Sequence, residues 1–293
     1  MTQPTQPHTF SPTPGFAQRS ARALIGWLPV NEGALWLAGR QMREQPNPEH
    51  LAACEAARQA VARRAPGVNQ AGLFTDLPAA VTPHIEALRQ DPKSAQILAE
   101  SGDPKMVDLT RVCAAQPQIH VEDALRRVAG ASANDTLALA RIALPLPAVE
   151  PMPTAFDQVK NAWIMSSPNP NLRVVGLFNA TVEGLPVFGF MVTIQKSYLQ
   201  VAGLGGRYFL RDGYHRAYGF LAAGIRWVPA LVKEFESFEQ VGLPPGLLPQ
   251  NTYLGECPPL LPDYLDDQFS ADTSIPIMQK MIVVQAMELH SVG

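Results

Sequence analysis

The sequence predicts an α+β chain: a helical first half, a small mixed sheet carrying one helix, and an acidic extension. Three observations predict it. Ala, Leu, Arg and Glu recur at spacings of three and four up to about Leu144, the period of a half-buried helix. After Pro153 the texture changes to short runs of Val, Phe, Ile and Thr broken by Gly and Pro, which is strand chemistry. Prolines number 28 in 293 residues, close to twice the usual ~5%. That density demands short elements and stiff connections, and it excludes a coiled coil or a long-helix bundle.

Residues 1–16, rich in Pro, Thr and Gln, read as a disordered tail with too little apolar surface to bury. Residues 17–150 form the helical region, with helices expected in ALWLAGRQMRE, EHLAACEAARQAVARR, AAVTPHIEALRQ and VEDALRRVAG. Pro46 and Pro48, Pro66-Gly67, Gly102 and Gly130 supply the stops, and Asp135–Leu144 is one more short helix. Residues 151–235 form the sheet domain. NLRVVGLFNATVEGLPVFGFMVTIQ carries strands; Tyr208-Phe209-Leu210 is another. Asp212 is placed to N-cap a helix over Tyr214–Ala223, Gly224 suits its left-handed stop, and Trp227–Val232 is the next strand. Residues 236–293 are an acidic, proline-rich extension, expected to wrap the sheet irregularly and to end in a strand over Lys280–Leu289 paired back into it.

Composition excludes several classes of function. No run of ~18 apolar residues exists, so no helix is expected to span a membrane. No charged segment precedes an apolar one near the first residue, and a cytoplasmic protein is expected. Cys54, Cys113 and Cys257 fit neither a disulfide framework nor a zinc motif. Charge is distributed unevenly: residues 1–150 hold 14 basic and 14 acidic side chains, 151–235 hold 8 and 4, and 236–293 hold 1 and 8. A basic middle beside an acidic tail means either a positive site or a tail that neutralises its neighbour.

One segment carries chemistry: FLRDGYHRAYGFLAAGIRWVPALV. Gly213 permits a tight turn and a close approach of backbone to a ligand. The free N–H groups that open the next helix form an anion site. Arg211 and Arg216 flank the turn, Arg207 precedes the strand, and Arg grips phosphate in a fork. His215 is placed to donate to a phosphate or move a proton. Tyr214, Ala217, Tyr218 and Leu221 form the apolar face, leaving His215 and Arg216 off it. Cations in a first helical turn oppose the dipole unless an anion or carboxylate is near. The competing reading pairs Arg216 with Asp212 or a tail acid and gives His215 a backbone carbonyl.

Phe209–Val232 resembles the signature segment of the ParB/sulfiredoxin-like superfamily: strand, Asp-Gly turn, Arg-bearing helix, Gly, then a strand of the V-P-A-x-V kind. The matching residues are Asp212-Gly213-Tyr214-His215-Arg216-Ala217, Ala223-Gly224 and Val228-Pro229-Ala230-Leu231-Val232. The resemblance implies an α+β domain whose turn and helix N-terminus hold nucleotide phosphates, as in ParB proteins, and it is similar to the Asp-Gly variant of ParB-like serine kinases. Tyr214 stands where sulfiredoxins have Cys, which speaks against sulfinic-acid chemistry. No E-x-x-R box lies between Ala155 and Arg211, and an acidic tail follows in place of a helix-turn-helix region.

The expected function is therefore binding of a phosphate-bearing ligand, a nucleotide with or without magnesium, by Arg207, Arg211, Gly213, Tyr214, His215 and Arg216. If a reaction follows, it is phosphoryl transfer or hydrolysis with Asp212 and His215 as the catalytic pair; Glu183 is the other acid considered. The alternative is a non-catalytic interaction or scaffold protein with a degenerate ParB-like domain, docking a protein partner through its helical half. Sequence-specific nucleic-acid recognition is not expected, because a weakly basic middle beside an acidic tail neutralises few phosphates. His120, Glu122 and Asp123 read as a helix start, and Asp263, Asp266 and Asp267 as a solvated loop.

Overall fold

The computed structural model describes residues 18–39, 47–148, 152–167, 169, 171–244, 246–277 and 280–285. The expected tail 1–16 lies outside them. The chain opens with β1 (Gln18–Ala23), α1 (Val30–Leu37) and α2 (Pro48–Ala62). β2 (Phe74–Thr75), α3 (Thr82–Gln90), α4 (Pro92–Ser101) and β3 (Asp103–Asp108) follow, then β4 (Gln118–His120), α5 (Val121–Arg127) and α6 (Thr136–Ala143). The middle holds β5 (Thr154–Asp157), β6 (Ala162–Ser167), β7 (Leu172–Val182), β8 (Leu185–Ile194), β9 (Gln200–Leu204) and β10 (Arg207–Asp212). Last come α7 (Tyr214–Ala222), β11 (Trp227–Phe235), α8 (Phe238–Val241), α9 (Gln250–Tyr253), β12 (Ala271–Pro276) and β13 (Lys280–Gln285).

Helices and strands mix throughout, as an α+β chain requires. The helix signals translate directly into caps. Asn47 accepts from the Glu49 N–H and Pro48 takes the first turn, so Pro48 opens α2 rather than closing the helix before it. Asp91 caps α4 through the Ser94 N–H, and Asp135 caps α6 through the Ala138 N–H. The second part of the expected ALWLAGRQMRE helix falls outside the described residues.

The described residues fall into two compact units, divided elsewhere than the composition shift suggests. One is built from 18–147 together with 197–276, the other from 148–196 together with 277–285. In the first, β1 is the centre of a three-stranded antiparallel sheet, β12-β1-β4. A five-stranded mixed sheet runs β10-β9-β11-β3-β2, with β11 parallel to β9 and antiparallel to β3. The sheet holding Asp212 thus takes two strands, β2 and β3, from the segment expected to be helical. The expected boundary at 150 follows texture, whereas the fold follows pairing: β3 and β11 zip Asp103 to Val232 over a long sequence separation.

The acidic extension also differs from expectation. It contains α8, α9, a 3-10 turn at 261–265 and β12, and β12 pairs with β1. Arg22 explains the attachment. Its guanidinium donates to the Tyr264 carbonyl, Ser270, Asp267 and Asp272, so the tail's acids are ligands of a buried N-terminal arginine. β13 pairs with β6 in the second unit, in a sheet of order β13-β6-β5, and not with the strands around Asp212. Residues 286–289 of that expected strand lie outside the described residues. In the same unit β7 and β8 form a two-stranded ribbon, closed by a turn at Glu183 (φ 50°) and Gly184 (φ 78°). Among the described residues, no helix is long and apolar enough to cross a membrane.

Candidate functional site around the α7 N-terminus

β10 runs into α7 through Asp212 and Gly213. The ladder with β9 shifts between Leu210 and Asp212, so Asp212 pairs with Gln200 as the strand ends. Gly213 is the N-cap at φ 90°, ψ 19°, a left-handed conformation suited to glycine. Asp212 does not cap the helix; its Oδ1 accepts from the Gly213 N–H at 2.6 Å. A Cβ on residue 213 would lie 2.9 Å from the Leu199 Cα. The close approach that glycine permits is therefore to Leu199, not to open space for a ligand.

Two further residues of the motif face inward. Tyr214 is buried, its hydroxyl donating to the Leu210 carbonyl and accepting from the Ala115 N–H at 3.3 Å. Burial raises its phenol well above the ordinary value. Arg216 is only 5% exposed. Its guanidinium donates to the carbonyls of Ile142 (3.0 Å), Ala143 (3.1 Å) and Ser197 (2.6 Å) and to Ser197 Oγ (2.6 Å). The first two are end carbonyls of α6 that lack helical partners, so Arg216 caps α6 from across the fold. Burial lowers its pKa to about 10, and Asp212 offsets part of that fall. Arg216 is thus unavailable as a phosphate fork, contrary to expectation, because carbonyls already surround it.

Arg207 and Arg211 are not brought together with the turn's inner residues. Arg207 opens β10 and Asp212 ends it, about 16 Å away at the strand rise. Arg207 lies instead beside Cys113, whose thiol burial pushes up to about 11, with Arg207 opposing. Arg211 donates to Gln200 Oε1 at 3.3 Å and stacks over Phe235, 5.4 Å from the ring centre. Glu183 belongs to the tip of the β7–β8 ribbon.

His215 lies in a different group of residues. Ala21 on β1 sits opposite His120 on β4, which puts Arg19, two residues along on the same face, beside His120. α5 starts at the next residue and packs on α7, where Gly219 leaves room for the Ala124 carbonyl 2.5 Å from a would-be Cβ. The rings of His120 and His215 meet edge to face with centroids 4.9 Å apart. Arg19 lies 3.4 Å from His120 Nδ1 and forms an ion pair with Asp123, which Arg126 also holds at 2.6 Å.

The corner is electrostatically unusual. Burial, then His120 and Arg127, push the His215 pKa down to about 3, so the ring is neutral at pH 7. His120 is lowered by burial and by Arg19. Asp212 is raised by burial, with Arg216, the Gly213 N–H and Arg127 acting against it. Three buried nitrogens here have no partner in the protein: Arg19 Nε, Arg127 Nε and His215 Nε2. Buried polar nitrogens without partners are costly, and the two arginine Nε–H groups are donors that any acceptor entering this corner would satisfy.

Arg19, His120 and Arg127 were missed as site residues. His120 carried a signal, since a His between an apolar strand and an acidic first turn is an unusual N-cap. Arg19 and Arg127 carried none. Two surface concavities lie elsewhere: one of about 540 Å³ lined by Gln250, Asn251, Leu254 and Gly255, and one of about 300 Å³ that includes Trp27, Arg58 and Cys257. Among the described residues, no group of three His, Cys, Asp or Glu side chains converges as a metal would require. Compared with family models, curated proteins and solved structures, the chain matches none.

Proposed function

We propose that the corner between α7, α5 and β1 binds a phosphate-bearing ligand, and that a nucleotide is the class implied by the resemblance of Phe209–Val232. The observation that carries this reading is the set of unpartnered buried nitrogens on Arg19, Arg127 and His215. Phosphate oxygens accept from arginine in charge-assisted hydrogen bonds, and the N–H groups opening α7 add a favourable dipole. Asp212 stands beside this site with a raised pKa, and its protonated form is the one that tolerates an adjacent anion.

The residues support binding more directly than catalysis. A His with a pKa near 3 is a weak base at neutral pH, and phosphoryl transfer needs a metal and a positioned base as well as a cradle. The scaffold reading is favoured by one specific observation, that Gly213, Tyr214 and Arg216 all serve packing.

Thermal unfolding with inorganic phosphate and with nucleoside mono-, di- and triphosphates, each with and without magnesium, separates the two readings. Ligand at 100 times its Kd stabilises by about 2.7 kcal/mol. Stabilisation of the wild type that disappears in Arg127→Gln supports the site. No stabilisation by any of these compounds, or an equal one in Arg127→Gln, overturns it and leaves the scaffold.

A further inference from the structure

The β7–β8 ribbon carries half of the large apolar side chains that are exposed among the described residues. Its two strands pair over their full length with one irregularity, between Val174 and Gly176. Of the residues 172–194 only Arg173 and Glu183 are charged. A two-stranded hairpin alone is marginal in water. Strands with open edges also invite association, and this ribbon carries little of the usual edge protection, Arg173 on β7 and Pro186 on β8.

The ribbon's two faces differ. Residues directly opposite in an antiparallel pair share a face. One face holds Phe178 opposite Gly189 and Met191 opposite Gly176. There the Phe178 ring and the Met191 methyl lie over those glycines, within 2.2 Å and 2.6 Å of where a Cβ would stand. These side chains lie flat on the opposite strand; Phe178, Met191, Val182 and Leu185 on this face are still 45–68% exposed, and Arg173 puts a charge on it, opposite Thr193. The other face holds Leu177 opposite Phe190 and Phe188 opposite Asn179. Phe188 is 83% exposed and Leu177 67%. Nothing on the strand folds over them.

We propose that this open face is the interface between two copies of the chain, packed face to face about a two-fold axis. Area and charge both point to a second copy. With Val174, the large apolar residues of the open face expose on the order of 450 Å², and Asn179, Thr181 and Pro186 around them extend the patch toward the ~800 Å² per partner of a stable interface. An apolar centre with a polar rim is the expected anatomy. A two-fold contact packs one face against the same face of its copy, with residues at the axis against their own counterparts, so a charged face would repel itself, whereas this uncharged one does not. The same lack of charge leaves it without features to select a different partner. The inference is independent of the phosphate corner, which lies in the other unit.

Sedimentation velocity of the full chain tests it. The wild type is expected at the mass of two chains at micromolar concentration, and Phe188→Asp at the mass of one with an unchanged thermal unfolding of its helical signal. Because Phe188→Asp could disturb the ribbon itself, Asn179→Cys under mild oxidation gives a second readout: a disulfide between two copies, formed only if the open faces meet. A wild type that sediments as a single chain overturns the proposal, as does a Phe188→Asp variant that keeps the mass of two. A two-chain species in which Asn179→Cys fails to crosslink also overturns it, by locating the contact elsewhere.

Discussion

Arg216 and the Arg19–Arg127 pair lie in one unit, near the same helix N-terminus, yet they are used in opposite ways. Arg216 meets four acceptors, all of them protein, and closes the end of α6 against the start of the returning chain at Ser197. Arg19 and Arg127 each keep a buried Nε without one. The arginine inside the Asp212–Ala217 segment is the structural one, and those outside it each keep a buried nitrogen without a partner in the protein. An arginine in a suggestive pattern is thus no evidence of a ligand until its donors have been accounted for.

The largest test of this contrast is Arg216→Met. It removes the guanidinium that the Ile142 and Ser197 carbonyls accept from and leaves the Ala143 carbonyl only the Leu199 N–H, which at the scale of breaking a buried charged network costs about 3–5 kcal/mol. Chemical denaturation should show that loss with no ligand present. A variant as stable as the wild type would mean that Arg216 is not the clamp described.

A middle-sized effect is expected from acid. His215 and His120 both have depressed folded pKa values, so the unfolded chain binds protons that the folded chain excludes. Their stabilising contribution is complete above the ordinary imidazole value of about 6.5 and is lost progressively as pH falls, for His215 down toward about 3, at up to about 1.4 kcal/mol per pH unit for each proton. His215→Phe keeps a ring against His120 and removes one proton, so its stability between pH 6.5 and 4 should fall less steeply. Parallel curves for the two proteins would place the acid sensitivity elsewhere.

Asp212→Asn should give the smallest change in stability, and in the opposite direction. The folded pKa of Asp212 is raised, so the ionised form weakens the fold above that pKa and the amide relieves it, while Asn Oδ1 still accepts from Gly213. A slightly higher Tm at pH 7 and tighter phosphate binding are expected. Loss of binding in Asp212→Asn would assign the carboxylate a direct role with the ligand and dissolve the contrast between binding and clamping residues.

Much of the local structure was legible. α2, α3, α5 and α6 fall where apolar spacing and caps place them, and β10, α7 and β11 follow the order read around Asp212. β1 was not legible: QRSARA lacks the β-branched residues that mark a strand, and it is a strand because β12 and β4 flank it. The same holds for β3, where DPKMVD becomes a sheet member only through its pairing with β11. Of the expected site, Asp212 and His215 remain in the corner, Arg216, Tyr214 and Gly213 turn to packing, and Arg207 and Arg211 stand along the strand.

The sequence by itself determined the element types wherever a local signal suffices: helix period, the caps at Asp91 and Asp135, the left-handed glycine at 224, and strand chemistry after Pro153. Those signals work because backbone preference acts within a few residues. Only the tertiary structure decided which strands share a sheet, that residues 197–276 return to the first unit, and that Arg19, His120, Arg127 and His215 meet. Those outcomes depend on burial and pairing between residues about 100 to 250 positions apart, and side-chain identity in one segment holds no record of what the other will bring.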